Sequence, residues 1–124
     1  MSLVLIVEDN EKNMKLVRDI LQAGGHATIE AVTGEDGVAL AQQRKPDLIL
    51  MDIQLPGING IEALRILRAD PATAPIPIIA VTASVMQQDR AMITEAGFDA
   101  YVGKPLNLKE FLETVRNFLT AGRR

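Results

Sequence analysis

The sequence predicts an α/β fold, a doubly wound five-stranded parallel sheet in one domain. Three observations carry this. Short apolar runs alternate with longer segments of helical period along all 124 residues. The runs are apolar at successive positions, as in strands buried on both faces. Glycine, proline or a capping residue stands at most of the junctions.

Residues 3–7 (Leu3-Val4-Leu5-Ile6-Val7) read as the first buried strand. Met14, Val17, Ile20 and Leu21 recur at helical spacing over 13–23, and Gly24-Gly25 ends that helix. A weaker strand covers Ala27 to Val32. Thr33 then caps a helix, with Asp36 three residues on as an acidic capping box. Pro46 closes that segment, and Asp47 to Asp52 is the third strand. Asn59 with Glu62 is a second capping signal, for a helix whose face is Ile61, Leu64 and Leu67. Asp70 to Pro75 is a loop. Ile76 to Thr82 is the fourth strand, with Pro77 tolerated near its start. A helix from Met86 to Ala96 stops at Gly97, and Asp99 to Gly103 is a short fifth strand. Asn107 with Glu110 caps the last helix, whose expected inner face is Leu108, Phe111, Leu112, Val115 and Leu119. Strands alternating with helices make a parallel sheet covered on both faces. The expected arrangement is flavodoxin-like, (βα)5 with strand order 2-1-3-4-5, and its ligand site lies at the carboxyl ends of the strands.

Composition narrows the function. Hydrophobic residues make up 48%, enough for a real core, which argues against disorder. A net charge of −3, from 13 basic and 16 acidic residues, gives no electrostatic reason to expect nucleic acid. With no cysteine there is no disulfide framework and no thiolate chemistry. The apolar runs are too short to span a bilayer, and no signal peptide is visible. A cytoplasmic protein with no membrane contact is the expectation. Met1-Ser2-Leu3 leaves open a domain taken from a longer chain.

The chemistry concentrates at strand ends. Leu3–Val7 runs into Glu8-Asp9, Leu48–Met51 runs into Asp52, Thr82 closes strand four, and Lys104 follows strand five. Three carboxylates brought together are costly unless a cation joins them, and oxygen ligands of this kind suit Mg²⁺, with Mn²⁺ as a substitute. Asp52 is the candidate nucleophile, since a carboxylate can attack phosphorus and form an acyl phosphate. That transfer needs charge neutralisation more than proton transfer, which Mg²⁺ and Lys104 would supply. The Thr82 hydroxyl is placed to donate to a phosphoryl oxygen, and small Ala83 beside it keeps the site open to a donor. Lys104-Pro105 is expected to be a cis peptide, as a tight turn over a site favours. His26 reads as an exposed residue before strand two, with no ligand role.

Glu8-Asp9, Asp52, Thr82-Ala83 and Lys104-Pro105 together resemble the receiver domain of two-component response regulators, the CheY-like family. The phrases VEDN at 7–10, PDLILMDIQLPGINGIE at 46–62, AVTA at 80–83 and KPL at 104–106 carry the likeness over essentially the whole chain. EDNEKNMKL at 8–16 is most similar to single-domain regulators of the DivK type, and receivers of hybrid histidine kinases share much of that wording. The resemblance implies one receiver domain over 1–124, with 122–124 as a disordered tail. It implies that Asp52 takes a phosphoryl group from a histidine kinase or a histidine phosphotransfer protein. It also implies that Glu8, Asp9, Asp52 and the backbone carbonyl of Gln54 hold Mg²⁺, while Lys104 and Thr82 contact the phosphoryl oxygens. Thr82 would then move inward with Tyr101 following, which reshapes the face of helix four, strand five and helix five for a downstream protein target. The same face would serve a monomer or a phosphorylation-dependent dimer. Gln54 and Ser84 would flank the path of the hydrolytic water. Met14 and Leu106 are candidate exposed apolar residues for docking a kinase helical bundle. The chain would be no enzyme beyond its own phosphorylation and dephosphorylation.

Three other readings compete. A Mg²⁺-dependent aspartyl-phosphate hydrolase usually has an acid two residues after its nucleophile, where this chain has Gln54. A flavodoxin-type phosphate binder needs a Ser/Thr/Gly-rich loop after strand one, where Glu8-Asp9-Asn10 repels phosphate. A pseudo-receiver that binds without phosphorylation would not need the complete residue set.

Overall fold

Asparagine and threonine side chains start the helices, and the apolar runs between them pair side by side. The computed structural model describes residues 2–55, 57–82, 93–103 and 107–121. In order these form β1 (Leu3–Val7), α1 (Glu11–Ala23), β2 (Ala27–Ala31), α2 (Gly34–Arg44), β3 (Leu48–Asp52), α3 (Gly60–Ala69), β4 (Ile78–Thr82), a helical segment at 93–96 (α4), β5 (Ala100–Gly103) and α5 (Leu108–Ala121). Ala83, Ser84, Lys104, Pro105, Leu106, most of the helix expected from Met86 and the tail 122–124 lie outside the described residues. The expected cis peptide falls there too.

All four strand pairings are parallel and the order is β2-β1-β3-β4-β5, as expected for a flavodoxin-like sheet. The period-two alternation of a strand splits the core into two layers. Leu5, Val7, Ile49, Met51, Ile78 and Ala80 face α2, α3 and α4, where Val38, Ala41, Leu64, Leu67 and Ile93 cover them. Val4, Ile6, Leu48, Leu50, Ile79 and Val81 face α1 and α5, under Met14, Val17, Leu21, Phe111 and Val115. Strands β3 and β4 are buried throughout, while the edge strands β2 and β5 are half-exposed over most of their length.

Several element ends differ from the sequence expectation, each for a local reason. α1 begins at Glu11 because the Asn10 side chain accepts from the N–H groups of Lys12 and Asn13. β4 begins at Ile78. Proline has no N–H for a ladder, and Pro77 contributes only its carbonyl, which accepts from Ile49 N–H at 3.0 Å. Leu108 is 55% exposed and is not an inner-face residue of α5. It is the first residue of the helix, while Phe111 and Val115, one turn apart, are fully buried. His26 is half-buried, not exposed. The capping signals hold: Thr33 accepts from Asp36 N–H, Asn59 from Glu62 N–H and Asn107 from Glu110 N–H.

Candidate functional site

Parallel strands all end on one edge, so residues that close separate apolar runs meet there. Glu8 extends β1 by one residue, its N–H donating to Ala31 O at 3.0 Å. Glu8 is 3% exposed and Asp52, the last residue of β3, is 6% exposed. Asp9, between them, is exposed. Each of the three offers a carboxylate oxygen, and these oxygens all lie within 4.8 Å of one another. Two buried carboxylates and one exposed one at that spacing repel strongly in a partly dry cleft. A hard divalent cation that prefers oxygen ligands fits the donor set and removes the repulsion.

Backbone groups fix the direction of these acids. Gln54 N–H donates to Asp52 Oδ1 at 3.0 Å, and Asn10 N–H donates to Glu8 Oε2 at 3.2 Å. The loop behind Asp52 returns at once into α3, with Gly60 N–H donating to Ile53 O at 3.0 Å. A Cβ at Gly60 would stand 2.5 Å from Asp52 O and 2.8 Å from Ile53 Cα, so only glycine permits this approach.

Thr82 ends β4 and is 4% exposed. It pairs with Gly103, two residues beyond the pairing of Ala80 with Tyr101. Strand alternation therefore puts Thr82 on the Ala80 side of the sheet. Tyr101 packs half-buried against the core layer on that side. Gln54 is exposed in the loop after Asp52.

Met14 does not meet the docking expectation. It is 5% exposed and packs with Val17 and Leu21 in the core layer beneath α1. The large apolar residue that α1 exposes is Leu16, at 49%. Leu16 and Leu108 flank a groove of about 380 Å³ between α1 and α5, lined further by Ile20, Ala23 and Leu112. Asp19 stands on its rim, where a hydrogen bond from Lys15 at 2.9 Å holds its carboxyl below the usual range. A second cleft, of about 420 Å³, opens beside the acids between α1 and β2, with Lys15, Arg18 and Glu30 in its walls. No helix among the described residues is long and apolar enough to cross a membrane.

The family model for the response regulator receiver domain matches residues 4–116. The chain is 47% identical over 116 residues to the polar-differentiation response regulator DivK of Brucella anthropi, an alignment that covers 94% of each chain. Among solved structures, the receiver domain of the sensor histidine kinase PA1611 of Pseudomonas aeruginosa has a magnesium ion coordinated in its active site cleft. It is 32% identical, with a TM-score of 0.90, over 96% of this chain and 98% of that one. The Mn²⁺-bound form of the response regulator Rcp1 is 28% identical, with a TM-score of 0.78, over 95% and 91% of the two chains.

Proposed function

The chain belongs to the family of response regulator receiver domains, and from that premise we propose that it accepts a phosphoryl group on Asp52 from a phosphohistidine of a kinase or phosphotransfer protein. The observation that carries this is the gathering of Glu8, Asp9 and Asp52 within 4.8 Å at the carboxyl edge of the sheet. Glu8, Asp9, Asp52 and the carbonyl of Gln54 are the groups that would hold Mg²⁺, or Mn²⁺ in its place. When bound, that cation neutralises charge on the phosphoryl oxygens and on the cluster itself.

The residues of the chain do the rest. Gln54 N–H, on Oδ1, fixes the rotation of the Asp52 carboxylate before attack. An Asp52 oxygen bonds to phosphorus as the P–N bond to the donor imidazole breaks, and the imidazole keeps the electron pair. Lys104, Thr82 and Ala83 are the residues assigned to the phosphoryl oxygens. Thr82 and Tyr101 lie on the same side of neighbouring strands, which supports a switch in which Tyr101 follows Thr82. The changed face of helix four, β5 and α5 is then read by a downstream protein, with the receiver acting as a monomer or as a dimer formed on phosphorylation.

The donor's helical bundle docks on the apolar groove between Leu16 and Leu108. Both helices start on the edge that carries the acids, which supports docking on this side of the molecule. A regulator of the DivK type is the form proposed, and what supports it is 47% identity over 94% of DivK's own length.

Beryllofluoride, which mimics an acyl phosphate, tests the reading when added with Mg²⁺. The amide resonances of Asp9, Asp52, Thr82 and Tyr101 should all shift, and Asp52→Asn should abolish every shift. Shifts confined to Asp9 and Asp52 would refute the switch, and none at all would refute the acceptor.

A further inference from the structure

We propose that Glu35, which lies outside the acidic cluster, is a positioning residue for cation binding because it seats the loop that follows Asp52. The inference rests on the functional reading above, in which that loop supplies the Gln54 carbonyl.

The loop runs from the end of β3 to the Asn59 cap of α3, and Gln54, Gly57 and Asn59 in it are exposed. Its inner side is fixed by Gln54 N–H on Asp52 Oδ1 and by Gly60 N–H on Ile53 O, each at 3.0 Å. Its outer side meets the first turn of α2. Gly57 has φ +74°, and a Cβ there would stand 2.6 and 2.8 Å from the two carboxylate oxygens of Glu35. The carboxylate therefore lies over the Gly57 backbone. The next N–H, that of Ile58, donates to Glu35 Oε1 at 3.4 Å. One residue earlier in α2, a Cβ on Gly34 would stand 2.6 Å from Ile58 O. Glycines on both sides thus let helix and loop approach at backbone distance, and Glu35 spans the contact.

Glu35 is itself well mounted. It sits in the first turn of α2, where the helix dipole favours an acid, and Val38 and Ala41 bury that helix against the sheet. An exposed loop with few anchors opens at small cost when one is lost. The order must then be restored when the cation binds, which weakens affinity. Glu35 is not among the acids whose oxygens converge, so its effect comes through the acceptor over Gly57 and Ile58. Glutamine keeps that acceptor, and alanine does not.

Calorimetric Mg²⁺ titration of the whole chain, paired with amide exchange at Ile58 in metal-free protein, tests this. Glu35→Ala should weaken Mg²⁺ binding by about tenfold, in the range seen for supporting residues of metal sites. It should also speed Ile58 exchange while leaving exchange in β1 and β3 unchanged. Glu35→Gln should restore most of both. Gly57→Ala should lose less Mg²⁺ affinity in the Glu35→Ala background than in the wild type, because the space has been vacated. Wild-type affinity in Glu35→Ala would overturn the inference, as would a Gln variant as weak as the Ala variant, since the effect would then be one of charge. A wild-type protein that takes up no Mg²⁺ would instead overturn the functional reading, and this inference with it.

Discussion

Around Asp52 the constraint comes from backbone as much as from charge. The α3 chain passes so close beneath it that a Cβ on Gly60 would overlap Asp52 O and Ile53 Cα. Backbone atoms cannot swing aside as a flexible side chain can. Gly60→Ala should therefore cost about 2 kcal/mol, the usual penalty for overpacking. Urea unfolding reads this directly, and an unchanged midpoint would contradict it. The acids themselves were legible in sequence, because a carboxylate that closes a run of buried apolar residues has few bland roles. The core place of Met14 is equally visible there, against its use in docking. Residues 14, 17 and 21 are spaced three and four apart and share one buried stripe. Leu16 lies off that stripe and takes the exposed position. The seat of Glu35 on Gly57 had no such signal, since no periodicity links residues more than 20 apart across a loop.

The helices α1 and α5 run side by side with their first turns at the site edge, and their exposed leucines turn the seam between them into an apolar groove. Leu16 and Leu108 pack little within the protein, so their substitution should move stability by less than about 0.5 kcal/mol. They should matter to a partner. Leu16→Glu or Leu108→Glu should slow phosphoryl transfer from a kinase bundle by about tenfold, the scale of losing one central apolar contact. Uptake from acetyl phosphate should stay at the wild-type rate. Equal slowing with both donors would show a defect in the site itself. Helix starts were readable at this scale because Thr33, Asn59 and Asn107 each use a side-chain oxygen three residues before the N–H it accepts. Strand starts were less so, because Ile76 is as apolar as Ile78, and only the missing N–H of Pro77 separates it from the ladder.

The whole molecule is anchored at the edge of the sheet opposite the acids. Arg68, in the last turn of α3, donates to Ala74 O, Ile76 O, Gly97 O and Asp99 Oδ2, the last at 2.7 Å. Asp99 Oδ2 also accepts from Ile78 N–H at 2.8 Å. One ion pair thus ties the starts of β4 and β5 to α3, while the far ends of those strands carry Thr82 and Tyr101. The pair is largely buried, so breaking it strands a charge, and Asp99→Ala should cost about 3 kcal/mol in urea unfolding. A cost below about 1 kcal/mol would mean that water replaces the carboxylate at that edge. The parallel direction of the sheet was legible because strands alternate with helical segments, which force parallel crossovers, and its order followed from the flavodoxin-like class. The Arg68–Asp99 tie was not, since nothing in a sequence separation of 31 residues marks the two as partners. The central claim is that this fold exists to carry a phosphoryl group on Asp52. The most direct measurement is the intact mass of the protein after incubation with acetyl phosphate and Mg²⁺, beside Asp52→Asn and a chelated control. The account predicts one added phosphoryl group in the wild type and none in either control. An added group that persists in Asp52→Asn, or a wild type that gains none and also fails to bind beryllofluoride, would contradict it.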